Sequence, residues 1–392
     1  MTSKWHEVPL RDLVGYISKG IAPSYADDET DTTVRVLNQK CNRNYQISYS
    51  ESRLHDTAKK KVPAERYVKR DDILINSTGA GTAGRIAQIG AVPCDTTVDG
   101  HMIILRANEK VMQRYLGYAL KAHQWEVLQL DEGSTGQTEL NRERLLDEII
   151  ICYPESFSDQ EEIVLMLESI DQKMLVNKQI NDNLQQQVAT LFSNLYDHAE
   201  TEVGFTEIIQ ILGGGTPKTG ESSYWNGNVP FFTPKDVGTP YTITTEKTIT
   251  EEGLAHCNSR LYPINTVFVT ARGTVGKVGL PGVPMAMNQS CYALVGKDTH
   301  QLLVYFYTLK AVDRLKHKAS GAVFDAITTR DFESESIMKL SDADAKAFLD
   351  VAAPMYQTIL SNSTENLRLA TLRDTLLPKL MSGKIDVSGI QL

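Results

Sequence analysis

Residues 163–195 read IVLMLESIDQKMLVNKQINDNLQQQVATLFSNL, and residues 348–380 read FLDVAAPMYQTILSNSTENLRLATLRDTLLPKL. In both stretches apolar residues recur in steps of four and three, the 3.5-residue spacing of a seam between two supercoiled helices. Both also carry two asparagines at the same two layers, Asn177 and Asn181 in the first and Asn362 and Asn366 in the second. The two patterns coincide after a shift of 185 residues. The sequence therefore predicts an internal duplication in which each copy ends in a long helix.

The direction of the two helices follows from the connectivity of the chain. The segment between them joins the end of the first helix to the start of the second, so these two ends must lie close together and the helices must be antiparallel. Asn177 is then predicted to face Asn366, and Asn181 to face Asn362. An unpaired amide in an apolar layer is costly, so these pairs would fix the register.

Capping-box spacings precede both helices, Ser158 with Glu161 and Ser341 with Asp344. Each seam would be about 48 Å long at 1.5 Å per residue, which exceeds the width of either globular segment. The predicted fold is α+β, with two mixed α/β domains separated by a long antiparallel two-helix coiled coil and related by a pseudo-twofold internal duplication. The predicted boundaries are 1–157 for the first domain, 158–198 for the first spacer helix, 199–340 for the second domain, and 341–392 for the second spacer helix and tail.

The two domains also share a loop pattern. Residues 72–85 (DILINSTGAGTAGR) and 265–277 (NTVFVTARGTVGK) each combine a β-rich run, a Gly-Thr-x-Gly turn and a basic residue, Arg85 or Lys277. Residues 79–84 match G-x-G-x-x-G, but the β-branched stretch that follows contains Pro93 and does not begin a helix, as a dinucleotide site requires. The pattern predicts a loop that needs positive φ or close backbone approach. The sequence does not predict a phosphate-binding P-loop either, because Val278 stands where that motif requires Ser or Thr.

Composition narrows the class of protein further. The chain has 392 residues, enough for two domains, and no run of 18 apolar residues, so no membrane span is predicted. Five cysteines without C-x-x-C spacing predict a cytoplasmic protein with neither disulfide framework nor metal site. Of the net charge of −9, about −8 falls in residues 151–204, around the first helix. Because that acidity is local, it leaves nucleic-acid binding by the domains open. No catalytic motif is present.

The layout resembles the specificity subunit of type I DNA restriction–modification systems over essentially the whole chain. The local likenesses are GGGTP at 213–217, YWNG at 224–227, LRLATLRDTLLPKLMSGKI at 367–385 and, more loosely, GIAPSY at 20–25. The resemblance implies that the two domains are target-recognition domains for double-stranded DNA and that the chain itself catalyses nothing. It also implies partners, two methylation subunits and two restriction–translocase subunits, which would carry S-adenosylmethionine, ATP and Mg. Arg373 departs from the repeat, since the first helix has Val188 at that layer.

Candidate DNA contacts come from the repeated loops and from basic or polar clusters. Arg272 is a candidate for a bidentate guanine contact, the commonest specific pairing, although a solvent-exposed arginine or a local ion pair is an equal alternative. Lys40, Arg85, Lys235 and Lys277 recur in both copies, which favours phosphate contacts over base reading. Lys59, Lys60 and Lys61 could follow the backbone, or be a solvated charge run. The remaining candidates are polar or basic loop residues: Arg43, Asn44, Tyr45, Ser77, Thr78, Thr135, Gln137, Lys218, Thr274 and Ser320.

Two alternative functions remain open at this stage. A self-contained DNA methyltransferase or nuclease would need a methyl-donor pocket or metal-binding carboxylates, and S-adenosylmethionine binding by the isolated chain would reveal it. A scaffold that uses the helix pair as a rod would bind protein, and salt-dependent DNA binding would distinguish the two.

Overall fold

The computed structural model describes residues 4–132, 138–318 and 326–385. Three of the candidate DNA contacts, Thr135, Gln137 and Ser320, lie outside these ranges. The chain divides into two compact units. Unit 1 comprises residues 1–172 and 369–392, and unit 2 comprises residues 173–368.

Unit 1 contains mostly short strands and few helices. Its strands are β1 (Trp5–Pro9), β2 (Val14–Lys19), β3 (Tyr25–Ala26), β4 (Thr33–Leu37), β5 (Asn42–Arg43), β6 (Gln46–Ile47), β7 (Arg53–Asp56), β8 (Ile73–Asn76), β9 (Ile86–Gln88), β10 (Thr96–Val98), β11 (Met102–Ala107), β12 (Asp131–Glu132), β13 (Glu139–Leu140) and β14 (Ile150–Pro154). Its helices are α1 (Gln113–Ala122), α2 (Gln124–Val127), α3 (Arg142–Glu148), the first part of α4 (Phe157–Asp197) and the last part of α9 (Asp342–Met381).

The central sheet of unit 1 is buried on both faces. Its strand order is β2-β11-β8-β9, with antiparallel neighbours. Because successive side chains of a strand point to opposite faces, Ile73 and Ile75 enter the main core with α1, whereas Leu74 enters a second core with Leu37. A second sheet, in the order β10-β4-β7-β3, lies next to this second core.

Unit 2 has the same kinds of element. Its strands are β15 (Thr201–Gly204), β16 (Ile209–Gly213), β17 (Trp225–Phe232), β18 (Tyr241–Thr242), β19 (Lys247–Ile249), β20 (Val267–Thr270), β21 (Val278–Pro281), β22 (Ala286–Met287), β23 (Cys291–Gly296) and β24 (Ser336–Lys339). Its helices are α5 (Phe205–Ile208), α6 (Glu251–Ala255), α7 (Gln301–Lys318), α8 (Thr329–Glu333), the second part of α4, and the first part of α9 (Asp342–Met381).

The strand topology of unit 1 recurs in unit 2. The antiparallel order β16-β23-β20-β21 repeats β2-β11-β8-β9, with β18 added at one edge. The parallel pair β17–β22 repeats β4–β10, and the antiparallel pair β15–β24 repeats β1–β14. The predicted duplication and the mixed α+β class are therefore confirmed.

The capping residue predicted for α9 is confirmed, but the one predicted for α4 was wrong. Ser341 Oγ accepts a hydrogen bond from Asp344 N at 3.1 Å and donates one to Asp344 Oδ2 at 2.6 Å. At α4 the cap is Ser156, two residues before the predicted Ser158: its Oγ accepts from Asp159 N at 3.3 Å. Gln160 N donates to the Ser156 carbonyl at 3.1 Å, so the first turn of the helix follows Ser156 directly. The buried Gln160 side chain stabilises this turn, because it bonds the backbone of Met112 and of Pro154.

Within unit 2, α4 and α9 pack against each other as an antiparallel pair around the asparagine layers. Asn177 Nδ2 donates to Asn366 Oδ1 at 2.9 Å, and Asn362 Nδ2 donates to Asn181 Oδ1 at 2.9 Å. Asn177 is 1% exposed and Asn181 is 7% exposed. These are the pairs that an antiparallel alignment predicts, and they satisfy amides that would otherwise be buried without partners.

Within unit 1, the layer of Arg373 is polar. Arg373 donates to Asp171 Oδ1 at 2.8 Å, while Asp171 Oδ2 accepts from Tyr118 Oη at 2.9 Å and from Lys121 Nζ at 3.5 Å. Val188, at the corresponding layer of unit 2, is buried among apolar side chains. The seam thus accommodates Arg373 by giving it an ionic partner from the facing helix, because a partly buried guanidinium requires one.

Candidate nucleic-acid interface

In unit 1 a turn at 38–41, a loop at 77–85 and a turn at 99–101 are hydrogen-bonded into one surface. Ser77 N donates to the His101 carbonyl at 2.8 Å, and Gly84 N donates to the Asn76 carbonyl at 2.8 Å. The Asn76 side chain also donates to the Gln39 carbonyl at 3.2 Å, which joins the first turn to the loop. We call these three segments the loop frame of unit 1.

Unit 2 has an equivalent frame at 233–236, 271–277 and 288–290. Ala271 N donates to the Ser290 carbonyl at 2.8 Å, and Gly276 N donates to the Thr270 carbonyl at 2.8 Å. Thr274 Oγ1 donates to the Pro234 carbonyl at 3.2 Å, which joins turn and loop here. The same hydrogen-bonded backbone frame therefore occurs in both units, next to equivalent strands of the two sheets.

Glycines in both loops are required by the backbone. Gly84 has φ of 81° and Gly276 has φ of 73°, in the left-handed region that glycine tolerates best. A Cβ at Gly84 would lie 2.8 Å from the Val127 carbonyl oxygen, and one at Gly276 would lie 2.6 Å from Lys316 Cε. The G-x-G-x-x-G stretch leads into strand β9, so the helix that a dinucleotide site requires does not follow. The interpretation of these glycines as loop residues is confirmed.

A hairpin projects beside the loop frame of unit 1. Its tip residues Asn44 and Tyr45 have φ of 53° and 61°, as a tight two-residue hairpin turn needs. The candidates Arg43, Asn44, Tyr45 and Arg85 all line one cleft of about 640 Å³ beside it. Burial raises the pKa of the Tyr45 hydroxyl, and Lys121 Nζ lies 5.0 Å from the centre of its ring. The structure therefore brings four candidates into a single concave, basic surface.

A second cleft of unit 1, about 450 Å³, includes residues that the sequence patterns did not indicate. It is lined by Lys40 together with Tyr25, Arg53, Asp99 and His101, among others. The Arg53 guanidinium carbon lies 3.4 Å from the centre of the Tyr25 ring. The sequence indicates Tyr25 only through the GIAPSY likeness at 20–25. The pairing depends on strand register, which no local pattern reveals.

Asp99 and Asn288 occupy equivalent turns in the two frames. Asp99 Oδ1 accepts from His101 N at 2.9 Å, and Asn288 Oδ1 accepts from Ser290 N at 3.0 Å. Asp99 is 4% exposed, and this burial raises the pKa of its carboxyl despite the opposing hydrogen bond from His101. Thr78 of the loop is tied to the same turn by a 2.7 Å contact between its Oγ1 and His101 Nδ1.

In unit 2 the basic candidates are exposed around the loop frame. Arg272 and Lys277 flank the loop, and Lys235 lies in the turn that Thr274 contacts, with Nζ 3.9 Å from Glu246. Lys218 is exposed as well, and its carbonyl accepts a hydrogen bond from Trp225. Within the described ranges, Arg272 is exposed, has no ion pair and its guanidinium makes no hydrogen bond. A base contact and a merely solvated arginine both agree with this placement, so the base contact stays a prediction.

Three candidates of unit 1 make contacts within the domain, and for the exposed Lys59 and Lys60 the DNA contact stays a prediction. Ser77 is fully buried and its hydroxyl donates to the Gly100 carbonyl at 3.4 Å, so it does not reach the surface. Lys59 lies 3.5 Å from Asp56, and Lys60 donates to the Ala22 carbonyl at 2.8 Å. Lys61 remains exposed. Ser77 is thereby corrected from a DNA contact to a core residue.

Two further findings concern the described part of the chain. No group of three or more His, Cys, Asp or Glu side chains is placed there to hold a metal ion. No helix among those residues is both long and apolar enough to cross a membrane.

The fold and the two loop frames define an internally duplicated protein with two mixed domains, and comparison with known families gives its class. The model of the family described as type I restriction modification DNA specificity domain matches residues 2–186 and again residues 201–339. These two matches cover most of the chain. The chain belongs to this family.

Individual relatives agree with this assignment. A specificity subunit of the type I restriction enzyme MjaIX from Methanocaldococcus jannaschii is 32% identical over 124 residues, which are 30% of this chain and 29% of that protein. The HindI specificity subunit from Haemophilus influenzae is 28% identical over 185 residues, 46% of this chain and 40% of its own length. The chain thus aligns with well under half of the length of these relatives. The crystal structure of a type I restriction–modification S subunit from M. genitalium has the same fold, with a TM-score of 0.60 at 15% identity over 97% of this chain and 99% of that one.

Proposed function

We propose that this chain is the DNA-recognition subunit of a type I restriction–modification complex and reads an asymmetric, bipartite target in duplex DNA. One observation carries the proposal: the same hydrogen-bonded frame is built twice but presents different side chains. Thr78 and His101 stand in unit 1 where Arg272 and Ser290 stand in unit 2. A shared backbone frame with unlike side chains suits two readers of two different half-sites, because base edges are read by side chains.

The distribution of charge supports DNA binding by the two frames despite the net charge of −9. Exposed cations accompany each frame, Lys40 in unit 1 and Lys235, Arg272 and Lys277 in unit 2. Lysines at equivalent turns suit phosphate contacts, which position a protein without reading sequence. In this proposal the recognition domains are residues 1–157 and 199–340, and the helices at 158–198 and 341–392 are spacers between them.

The proposal assigns the chemistry to partner proteins. Two methylation subunits would bind S-adenosylmethionine, and two restriction–translocase subunits would bind ATP and Mg. This chain would contribute no catalytic group and only direct the partners to the target. A cytoplasmic location is part of the proposal, supported by five cysteines that are all free thiols.

Purified components test this division of labour. The chain alone should transfer no methyl group to DNA, and the chain with its methylation subunit should methylate adenine within a defined sequence. The affinity of that complex for DNA should fall steeply with salt, since phosphate contacts release counterions. Robust methyl transfer by the isolated chain would contradict the proposal, and salt-independent or absent DNA binding by the complex would favour a scaffold.

A further inference from the structure

Arg53 lies flat against an aromatic ring on the surface of unit 1. Its guanidinium carbon is 3.4 Å from the centre of the Tyr25 ring, and the Tyr25 side chain is 39% exposed. Among the residues that the structure describes, no carboxylate forms an ion pair with the Arg53 guanidinium, and no acceptor takes a hydrogen bond from that group. Its N–H donors are therefore available to a ligand while one face of the group is covered.

The strands beneath hold this stack in place. β3 and β7 are antiparallel with Tyr25 opposite His55, so Arg53 is the diagonal neighbour of Tyr25 on the same face of the sheet. His55 is fully buried, and both of its ring nitrogens are bound: Nδ1 accepts from Ser24 N at 2.8 Å, and Nε2 lies 2.7 Å from the Lys60 carbonyl. The backbone at Ser24, next to Tyr25, is thus anchored to the buried His55 of β7.

Other arginines of unit 1 show that this arrangement is unusual for the domain. Arg35, on the neighbouring strand β4, pairs with Glu29 at 2.7 Å, and Arg106 pairs with Asp72 at 2.8 Å. Arg53 lines the same 450 Å³ cleft as Glu51 and the buried Asp99, and its charge opposes the rise in the pKa of Asp99, yet its guanidinium forms an ion pair with neither carboxylate. An arginine that merely covered a tyrosine would gain by turning its donors to such a carboxylate.

We infer that Arg53, held against Tyr25, reads a guanine in the half of the target recognised by unit 1. This inference rests on the proposed function and specifies a residue of the same site. A guanidinium donates two parallel hydrogen bonds to guanine O6 and N7 in the major groove, the commonest specific contact to a base. Stacking fixes the plane of the guanidinium before binding, so less conformational freedom is lost on contact.

The test is selection from a random duplex library by the chain in complex with its methylation subunit. Arg53→Lys retains the charge but not the planar fork, and Arg53→Gln removes the charge; each should lower discrimination at one G·C pair about 5- to 150-fold. The rest of that half-site and the other half-site should be selected as before. Tyr25→Phe keeps the ring and should select the original sequence, whereas Tyr25→Leu should weaken discrimination at the same pair. Arg35→Lys is the matched control and should leave every position unchanged.

The possible failures are distinct. If wild-type complex enriches no sequence, the proposed function itself fails. If wild-type complex enriches a bipartite target and both Arg53 variants enrich it equally strictly, the inference about Arg53 is wrong and the function stands. If the variants lower affinity equally for all sequences, Arg53 contacts phosphate, which also overturns the inference. Thermal unfolding of each variant complex checks that a lost preference does not come from lost folding.

Discussion

Asn177 Nδ2 donates a hydrogen bond of 2.9 Å to Asn366 Oδ1, and the Asn366 amide in turn donates to the Met174 carbonyl at 3.0 Å. The equivalent residues of the other helix make the same contact: Asn181, which corresponds to Asn366, donates from Nδ2 to the Ile359 carbonyl at 3.3 Å, and Ile359 corresponds to Met174. The helix pair of unit 2 therefore has a local twofold pattern of hydrogen bonds that links asparagine side chains to backbone carbonyls of the facing helix. Such a network is satisfied in one register only, which explains why polar residues interrupt the apolar seam.

Replacing Asn177 with Leu should destabilise the protein by about 1–3 kcal/mol, because Asn366 loses its partner in a largely buried layer. Replacing both Asn177 and Asn366 with Leu should recover much of this loss. Urea unfolding of the four proteins of the double-mutant cycle measures the coupling. Asn183→Leu, an exposed position of the same helix, is the control and should change stability by less than about 0.5 kcal/mol. Absence of coupling between the pair would contradict its role in fixing register.

Asp99→Asn should stabilise the protein at neutral pH. Burial raises the pKa of the Asp99 carboxyl in the folded state, so its contribution to stability is fully present below the unfolded value of about 3.9 and is lost as pH rises through the folded pKa. Asparagine avoids that loss, and unit 2 already carries Asn288 at the equivalent turn. The difference in unfolding midpoint between variant and wild type should therefore be largest at pH 7 and disappear below about pH 4. The exposed Asp95→Asn should show no such pH dependence, and an equal gain at all pH values would contradict the explanation.

Lys235 and Arg272 should differ in what their loss does to DNA binding. Lys235→Gln should weaken binding to all sequences and make the slope of affinity against salt shallower by about one, as expected for one lost phosphate contact. Arg272→Lys should instead lower discrimination at one base pair, about 5- to 150-fold, with little change in the slope. Fluorescence anisotropy with matched and singly substituted duplexes separates the two effects. Equal behaviour of the two variants would show that position 272 does not read a base.

The long helices could be predicted from sequence because a buried seam requires apolar residues at a regular spacing. The same spacing predicted which asparagines face each other. The loop frames were predicted in part, since glycines at positive φ such as Gly84 and Gly276 leave a local signature. The Arg53–Tyr25 stack could not be predicted, because it depends on the register of two short strands that lie far apart in sequence. Ser77 was misassigned for a related reason: its polarity indicates a surface residue, and only the folded sheet shows that it is buried.

A heptad inserted into each long helix at matching layers should lengthen the spacer between half-sites without changing the bases read. Seven residues add about 10 Å of helix, or about three base pairs at roughly 34 Å per ten base pairs. Rotation by about a third of a turn should reduce affinity as well. Sequencing of modified bases in a host that carries the lengthened chain gives the new target. Retained methylation with an unaltered spacer would show that the helices do not set this distance.

Sequencing of modified adenines in the host genome, with the gene for this chain intact and then deleted, tests the proposed recognition role most directly. With the gene intact, a bipartite and asymmetric sequence should be methylated at nearly every occurrence. Deletion should abolish methylation of that sequence, and a chain with Arg272→Lys should restore it with relaxed specificity in one half only. A methylation pattern unchanged by the deletion would contradict the conclusion that this chain directs the complex to its target.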